Sequence, residues 1–453
     1  MKKIFTFLMA LMAVISLNAE NYFLKNTWGE AEASWKQMTE SEGSFLLPDV
    51  VFDGNEIAIN TEATDEGARV IKPDNIIAFL GEAYEEAELG KGDEVLFIYD
   101  PEMFNQYDET QSGLTAIINN KAGSAIKVGE TWKNMAENEG SFAFGDVSFD
   151  GKDVQLAHGN EIFSVKPENI QALLGEAFDF AELSVGDEVL FVFDPEMRDQ
   201  YNEKESGLTA IINSKAGYAI KVGETWKNMT VDPEDEDWWT LEGVTFEGKD
   251  VQLAHNSEIR SIKPESITAF IDYDFAELSA GDVVEFVFRP SMFNSYNPDV
   301  ESGMHAMITF KNGYALKSTW AEGEAPSWKN MVKQDDDTFI IEDVVFDGND
   351  VALVEENNIR TIKVENIKAY LLPDYEDAVL EEGDKIVFIY TPSEYNRYDE
   401  TQPGLSALIV EKIISGFDTI KSITNDVNKV LINGQLLIIR NGNTYNAAGV
   451  LVK

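Results

Sequence analysis

Three histidines, no cysteine and 82 acidic residues bound the chemistry open to this 453-residue chain. Without a thiol there is no disulfide, no thiolate nucleophile and no cysteine-based metal site. His158 and His255 fall at equivalent places, nine residues after Phe149 and Phe246; Thr61 and Glu355 hold that place in two other internal copies. His305 has no counterpart. Nothing beside these histidines looks like a catalytic partner, so they read as surface or core residues. The sequence argues against an enzyme, and no catalytic residue or cofactor is assigned.

A long loop is repeated more consistently. It runs DPEMFNQYDETQSG from Asp100, DPEMRDQYNEKESG from Asp194, RPSMFNSYNPDVESG from Arg289 and TPSEYNRYDETQPG from Thr391. Pro101, Pro195, Pro290 and Pro392 share one place; Tyr107, Tyr201, Tyr296 and Tyr398 share another. Loops of this length between paired strands are uncommon without a purpose. Asp100, Glu102 and Asp108 are the hard oxygen donors calcium would use. Arg289, Ser291, Thr391 and Ser393 replace two of them in the later copies. No metal site common to all copies is therefore expected. The tyrosine is expected to pin the loop to its own domain, and Tyr107 and Tyr398 stand as candidate ligand contacts.

Tryptophan supplies the other candidates. Trp35, Trp132, Trp226 and Trp328 recur in a Trp-Lys-x-Met motif and are expected in the core. Trp28 and Trp320 sit on an eight-residue excursion found in the outer copies alone, and Trp238-Trp239 lies in a very acidic segment. Neighbouring residues on a strand face opposite ways, so at least one of that pair is expected to be exposed. Exposed aromatic rings suit stacking on sugars. Trp28, Trp238, Trp239 and Trp320 are accordingly candidate ligand-binding residues.

These residues are positioned by a repeat of whole-domain length. The stretch AIKVGETWKNM at Ala125 returns unchanged at Ala219, with looser copies at Tyr22 and Tyr314. Spacings of 97, 94 and 102 residues between the Trp-Lys-x-Met motifs mean tandem domains. The copies span residues 20–123, 124–217, 218–313 and 314–412, joined by pairs such as Ala122-Gly123. Joints this short predict a stiff rod, unless Lys-Ala-Gly is a turn and strands pair across the boundaries. Within copy two, the alternation in Ser141–Phe149 and in EVLFVF from Glu188 reads as strands. Pro167 to Leu174 reads as a short helix, with proline first and Gly175 past its end. The expected fold is all-β: four tandem immunoglobulin-like β-sandwich repeats, each with one short helix, plus a small C-terminal β domain.

Composition limits the partners. Against 35 basic residues the acidic ones leave a net charge of −47. That disfavours nucleic acid and anionic lipid, which need basic neutralisation. Met1 to Ala19 has a basic start, an apolar run and a small residue before a cut, the pattern of a secretory signal peptide. Its apolar run is short for a membrane span, and no later stretch is longer. After a linker at residues 413–427, Asn428 to Lys453 has no acidic residue and three basic ones. It reads as three short strands separated by Asn433-Gly434, Asn441-Gly442 and Ala448-Gly449.

That tail resembles the C-terminal sorting domain of type IX secretion substrates in Bacteroidetes, through Ile432-Asn433-Gly434-Gln435, Ile438-Ile439-Arg440-Asn441-Gly442, Tyr445-Asn446 and Gly449 to Lys453. The resemblance implies passage through outer-membrane secretion machinery and a place at the cell surface or outside it. Tyr22 to Lys25, Trp28, Trp35 and Met38, followed by an apolar strand to Phe52, resemble starch-binding sandwich modules of Bacteroidetes surface lipoproteins, which are anchored through a cysteine this chain lacks. The expected function is binding or adhesion, to a glycan or to a host or partner surface protein; a structural stalk or surface-layer component is the alternative.

Overall fold

The computed structural model describes residues 21–81, 84–175, 178–320 and 324–412, together with strands at 427–432, 435–440, 443–446 and 451–452. The expected signal peptide and nearly all of the expected linker lie outside the described residues. The chain forms two compact units, Met1–Asn312 and Gly313–Lys453.

In unit 1 each repeat begins with a small antiparallel layer. In repeat 1 its order is Ser34–Gln37, Phe23–Asn26, Ile57–Asn60, Arg69–Ile71. A larger layer follows in the order Thr39–Ser41, Ser44–Val51, Glu94–Tyr99, Leu114–Val128, Ile77–Leu80, Glu85–Glu86. Alternation sets the facing: Val95, Phe97 and Tyr99 of EVLFIY point inward and their neighbours outward. They meet Leu24, Ile57 and Ile59 of the small layer in one core.

The expected helix is a correction. Pro167–Asn169 forms a single 3-10 turn, and Gln171–Leu174 is a strand. Proline does open the turn, but Ile170 returns to extended backbone at φ −93°, ψ 123°. The strand then pairs in parallel with Thr209–Ile212, which gives its apolar residues a sheet to join. Repeats 1, 3 and 4 carry the same turn at Pro73–Asn75, Pro264–Ser266 and Val364–Asn366.

The expected joints are a second correction. Leu114–Val128 is one strand running through Ala122-Gly123, and Ser206–Val222 is one strand running through Ala216-Gly217. The first part of Leu114–Val128 pairs with Glu94–Tyr99 in repeat 1, and its last part with Thr131–Asn134 in repeat 2. A bulge between Lys121 and Ser124 marks the passage, and another lies between Lys215 and Tyr218. The all-β class therefore stands, but the tandem immunoglobulin arrangement does not. Within unit 1 each repeat is hydrogen-bonded into the next, as in a β-solenoid.

A buried ion pair sits at both crossings, and repeat 3 carries the same pair at its end. Asp93 and Lys121 meet at 2.8 Å, as do Asp187 with Lys215 and Asp282 with Lys311. A buried pair holds only when its remaining bonding capacity is met. Here Lys121 also donates to Glu88 O, while Asp93 accepts from the N–H groups of Gly90 and Ala122. Burial pushes the Lys215 and Lys311 ammonium groups below their ordinary range, partly offset by their aspartates.

Unit 2 holds repeat 4, whose larger layer runs Val332–Lys333, Phe339–Val345, Lys385–Tyr395, Pro403–Glu411, Lys368–Leu371, Glu376–Ala378. Its core gathers Leu316, Leu353, Phe388 and Ile409. Asp384 and Lys412 repeat the ion pair at 2.8 Å. The C-terminal strands form an antiparallel meander of four, one more than expected, because Leu451–Val452 pairs back on Thr444 and Tyr445.

Candidate functional site

The four loop tyrosines point into solvent. Tyr107, Tyr201, Tyr296 and Tyr398 are 88–98% exposed, so the expectation that they pin the loop is overturned. The loop is held by its own polar side chains instead. In repeat 1, Asn105 Oδ1 accepts from the Tyr107 N–H, and Asp108 Oδ1 accepts from the Thr110 N–H and hydroxyl. These bonds to Thr110 hold the Asp108 carboxyl below the usual carboxylate range. Asn396, Asp399 and Thr401 repeat the arrangement around Tyr398. Local side-chain bonds of this kind fix a turn without help from a core. The Asn-x-Tyr-Asp-x-Thr spacing carried that signal.

An arginine anchors the base of each loop. Arg69 lies 3.5 Å from the Phe104 ring centroid, Arg260 4.4 Å from Phe293 and Arg360 3.4 Å from Tyr395. In repeat 2 the roles are exchanged, with Arg198 on the loop 3.6 Å from Phe163. Gly113 closes the loop at φ 72°, where a Cβ would lie 2.6 Å from Asp100 O. Gly207, Gly303 and Gly404 meet the same limit.

Beside the tyrosines lie open clefts. One of about 790 Å³ is lined by Ile77, Met103, Phe104 and Tyr107 in repeat 1. Another of about 780 Å³ is lined by Lys368, Tyr395 and Tyr398 in repeat 4. Repeat 3 has one of about 540 Å³ at Phe293, Tyr296 and His305. A loop held by its own hydrogen bonds, a projecting phenol and a mixed polar and apolar cleft can bind.

The tryptophan candidates are placed elsewhere. Trp28 and Trp320 are buried, at 4% and 8% exposure, and each indole donates to a backbone carbonyl, of Ser34 and Ser327. Neither buried ring offers a stacking face. Trp238 and Trp239 are both half-buried on the strand Asp235–Thr245. Trp239 packs edge-on to Tyr218 at 5.0 Å and against Gly217. Trp238 receives the Arg289 guanidinium at 5.4 Å.

The expectation of core holds for Trp132, Trp226 and Trp328 but not for Trp35, and Trp132 and Trp226 lie in the core of the preceding repeat. Trp132 and Trp226 are 1% exposed. Trp132 lies in the cluster built by repeat 1, and Trp226 in that of repeat 2. A clasp surrounds each. Glu85 accepts from Lys127 and from the Trp132 indole, at 2.8 and 2.7 Å. Glu88 accepts from Lys133 and the Asn134 N–H. Asp179 and Glu182 repeat this with Lys221, Trp226, Lys227 and Asn228. The bond from Lys127, then that from Trp132, holds Glu85 below the carboxylate range; Lys221 does the same to Asp179. Burial alone would raise Glu88 and Glu182, and their bonds outweigh it. Trp328 is buried at 2%, whereas Trp35 is half-buried.

The histidines sit among aromatic rings. His158 shares a hydrogen bond with Ser124 Oγ at 2.9 Å, and His255 Nδ1 donates to Gly217 O while stacking on Tyr218 at 4.1 Å. Burial, then Arg289, lowers the His305 imidazole. Among the described residues, no three His, Asp or Glu side chains converge as a metal site would need.

No protein-family model and no curated protein matches this chain. A Bacteroides thetaiotaomicron VPI-5482 protein of unknown function, known from its crystal structure, aligns over 81% of this chain and 87% of its own. The identity is 11% and the TM-score 0.12, a likeness too slight to carry an argument.

Proposed function

We propose that this is an exported, surface-displayed repeat protein that binds through its four tyrosine-tipped loops, with a glycan or a host or partner surface protein as ligand. The observation carrying this reading is the near-complete exposure of Tyr107, Tyr201, Tyr296 and Tyr398 on loops locked by their own hydrogen bonds. A phenol presented rigidly loses little conformational freedom on binding, and four copies convert weak contacts into avidity. The basic start and apolar run of residues 1–19 and the composition of Asn428 to Lys453 support export through an outer-membrane sorting route.

A glycan array probed with the mature protein tests the reading. Wild type should bind a restricted set of glycans, and a variant with all four tyrosines changed to alanine should lose that signal with its thermal unfolding unchanged. Equal binding by the two proteins would remove the tyrosines from the site. The second reading, a stalk without a small ligand, is favoured by the clasps that use the recurrent Trp-Lys-x-Met motif to join repeats. It predicts no array signal and no partner captured from a cell surface.

A further inference from the structure

The larger layers of repeats 1 and 2 each end in a face that the next repeat covers. In repeats 1 and 2 that face carries Leu80 and Leu174, 4% and 5% exposed, beside the ion-pair lysines Lys121 and Lys215, whose side chains are 2% and 1% exposed. Repeat 4 has the same strands, with Leu371 at the place of Leu80 and Lys412 at that of Lys121. There Leu371 is 37% exposed and the Lys412 side chain 29%. Val379 stands where repeats 1 and 2 have the clasp residues Glu88 and Glu182, and it is 75% exposed. The face keeps one clasp acid, Glu376, opposite Leu371 as Glu85 is opposite Leu80.

The complementary surface exists in this chain. The small layer of repeat 1 matches the layers with which repeats 2 and 3 cover their neighbours: Trp35 pairs with Lys25 as Trp132 pairs with Lys127. Trp35 is half-buried where Trp132 is 1% exposed. Lys25 is held at 2.7 Å by Asp65, from a loop between Asn60 and Arg69 that repeat 2 replaces with a tight turn.

We propose that copies of this chain associate head to tail, the small layer of repeat 1 in one copy covering the open face of repeat 4 in another. The contact continues an interface already used twice within unit 1, and this continuity selects a second copy as occupant. Glu376 then accepts from the Trp35 indole as Glu85 does from Trp132. With Val379 in place of the second acid and Asp65 holding Lys25, the new junction has fewer polar bonds than the internal ones. It is therefore reversible. A contact between two different surfaces leaves one of each surface free after every addition, so it gives species longer than a dimer, as open chains or as rings where the rotation closes.

Sedimentation of the full-length protein across a concentration range, with two blocked variants, tests this. Wild type should show a concentration-dependent ladder of species. Trp35→Glu blocks the front, and Leu371→Lys with Val379→Lys blocks the back; each variant alone should stay monomeric. An equimolar mixture of the two should form dimers and nothing longer, because each retains one good surface. Glu376→Lys, at an exposed position that leaves the fold intact, should weaken association at least about tenfold. A monomeric wild type, as results if the chain's own C-terminal strands cover repeat 4, would overturn the proposal. So would ladders that survive in either blocked variant.

Discussion

Arg198 lies 3.6 Å above the Phe163 ring, and the two residues occupy each other's places relative to the other repeats. Phe163 takes the strand position held by Arg69, Arg260 and Arg360, and Arg198 takes the loop position of Phe104, Phe293 and Tyr395. The cation–π contact is preserved through the exchange, so it is the contact, not either side chain, that anchors the loop. In repeat 2, Phe163→Arg alone should set two guanidinium groups face to face and cost about 1–2 kcal/mol. Adding Arg198→Phe should recover most of that loss. Denaturant unfolding of the two single variants and the double variant measures the coupling directly.

Trp132 is encoded in repeat 2 but completes repeat 1. Trp132→Ala should cost about 3–5 kcal/mol, as for other buried rings cut to alanine. Its distinguishing effect is where protection disappears. Amide exchange should quicken in Glu94–Tyr99 and Leu114–Ile118 of repeat 1 at least as much as in repeat 2. Loss confined to repeat 2 would show that the ring serves its own domain.

The clasp carboxylates make unit 1 sensitive to acid. Glu85, Glu88, Asp179 and Glu182 all titrate below their ordinary range in the folded protein. Their stabilisation is complete above the unfolded carboxylate range, near about pH 4, and fades as pH falls through the lower folded values. The urea midpoint of unit 1 should therefore drop between neutral and acidic pH. Changing all four to Gln or Asn should lower the midpoint at neutral pH and flatten its pH dependence. A midpoint with the same slope in the variant would assign the acid sensitivity to other groups.

Part of this was legible in the chain itself. The period, the alternating strands such as Glu188–Phe193 and the repeated tyrosine loop follow from spacing and side-chain type. Three features do not. Gly186-Asp187 reads as a turn, and its partner Lys215 lies 28 residues away in an apolar strand, so the buried pair has no local signal. Pro167 and Gly175 bracket a helix-like segment, yet the neighbouring strand Ser206–Val222 draws Gln171–Leu174 into a sheet; tertiary pairing outweighs local propensity. A recurrent tryptophan signals burial, but periodicity cannot say which copy's core receives it. Tyr107 failed differently: the hydrogen bonds that free it from the domain were written in Asn105, Asp108 and Thr110.

The strand Leu114–Val128 separates the unit that is copied from the unit that folds. The periods of repeats 2 and 3 open with the strand end, clasp lysines and tryptophan that finish the previous core, and repeats 1 and 2 close with the face that receives the next set. Removing Ser124 to Gly217 would splice Gly123 directly to Tyr218, so that the identical stretch from Ala219 follows with its own Tyr218 kept. Trp226 would then meet Glu85 where Trp132 had been, and every remaining core would still be complete. A gene built this way can gain or lose whole periods by recombination without passing through an unfolded product.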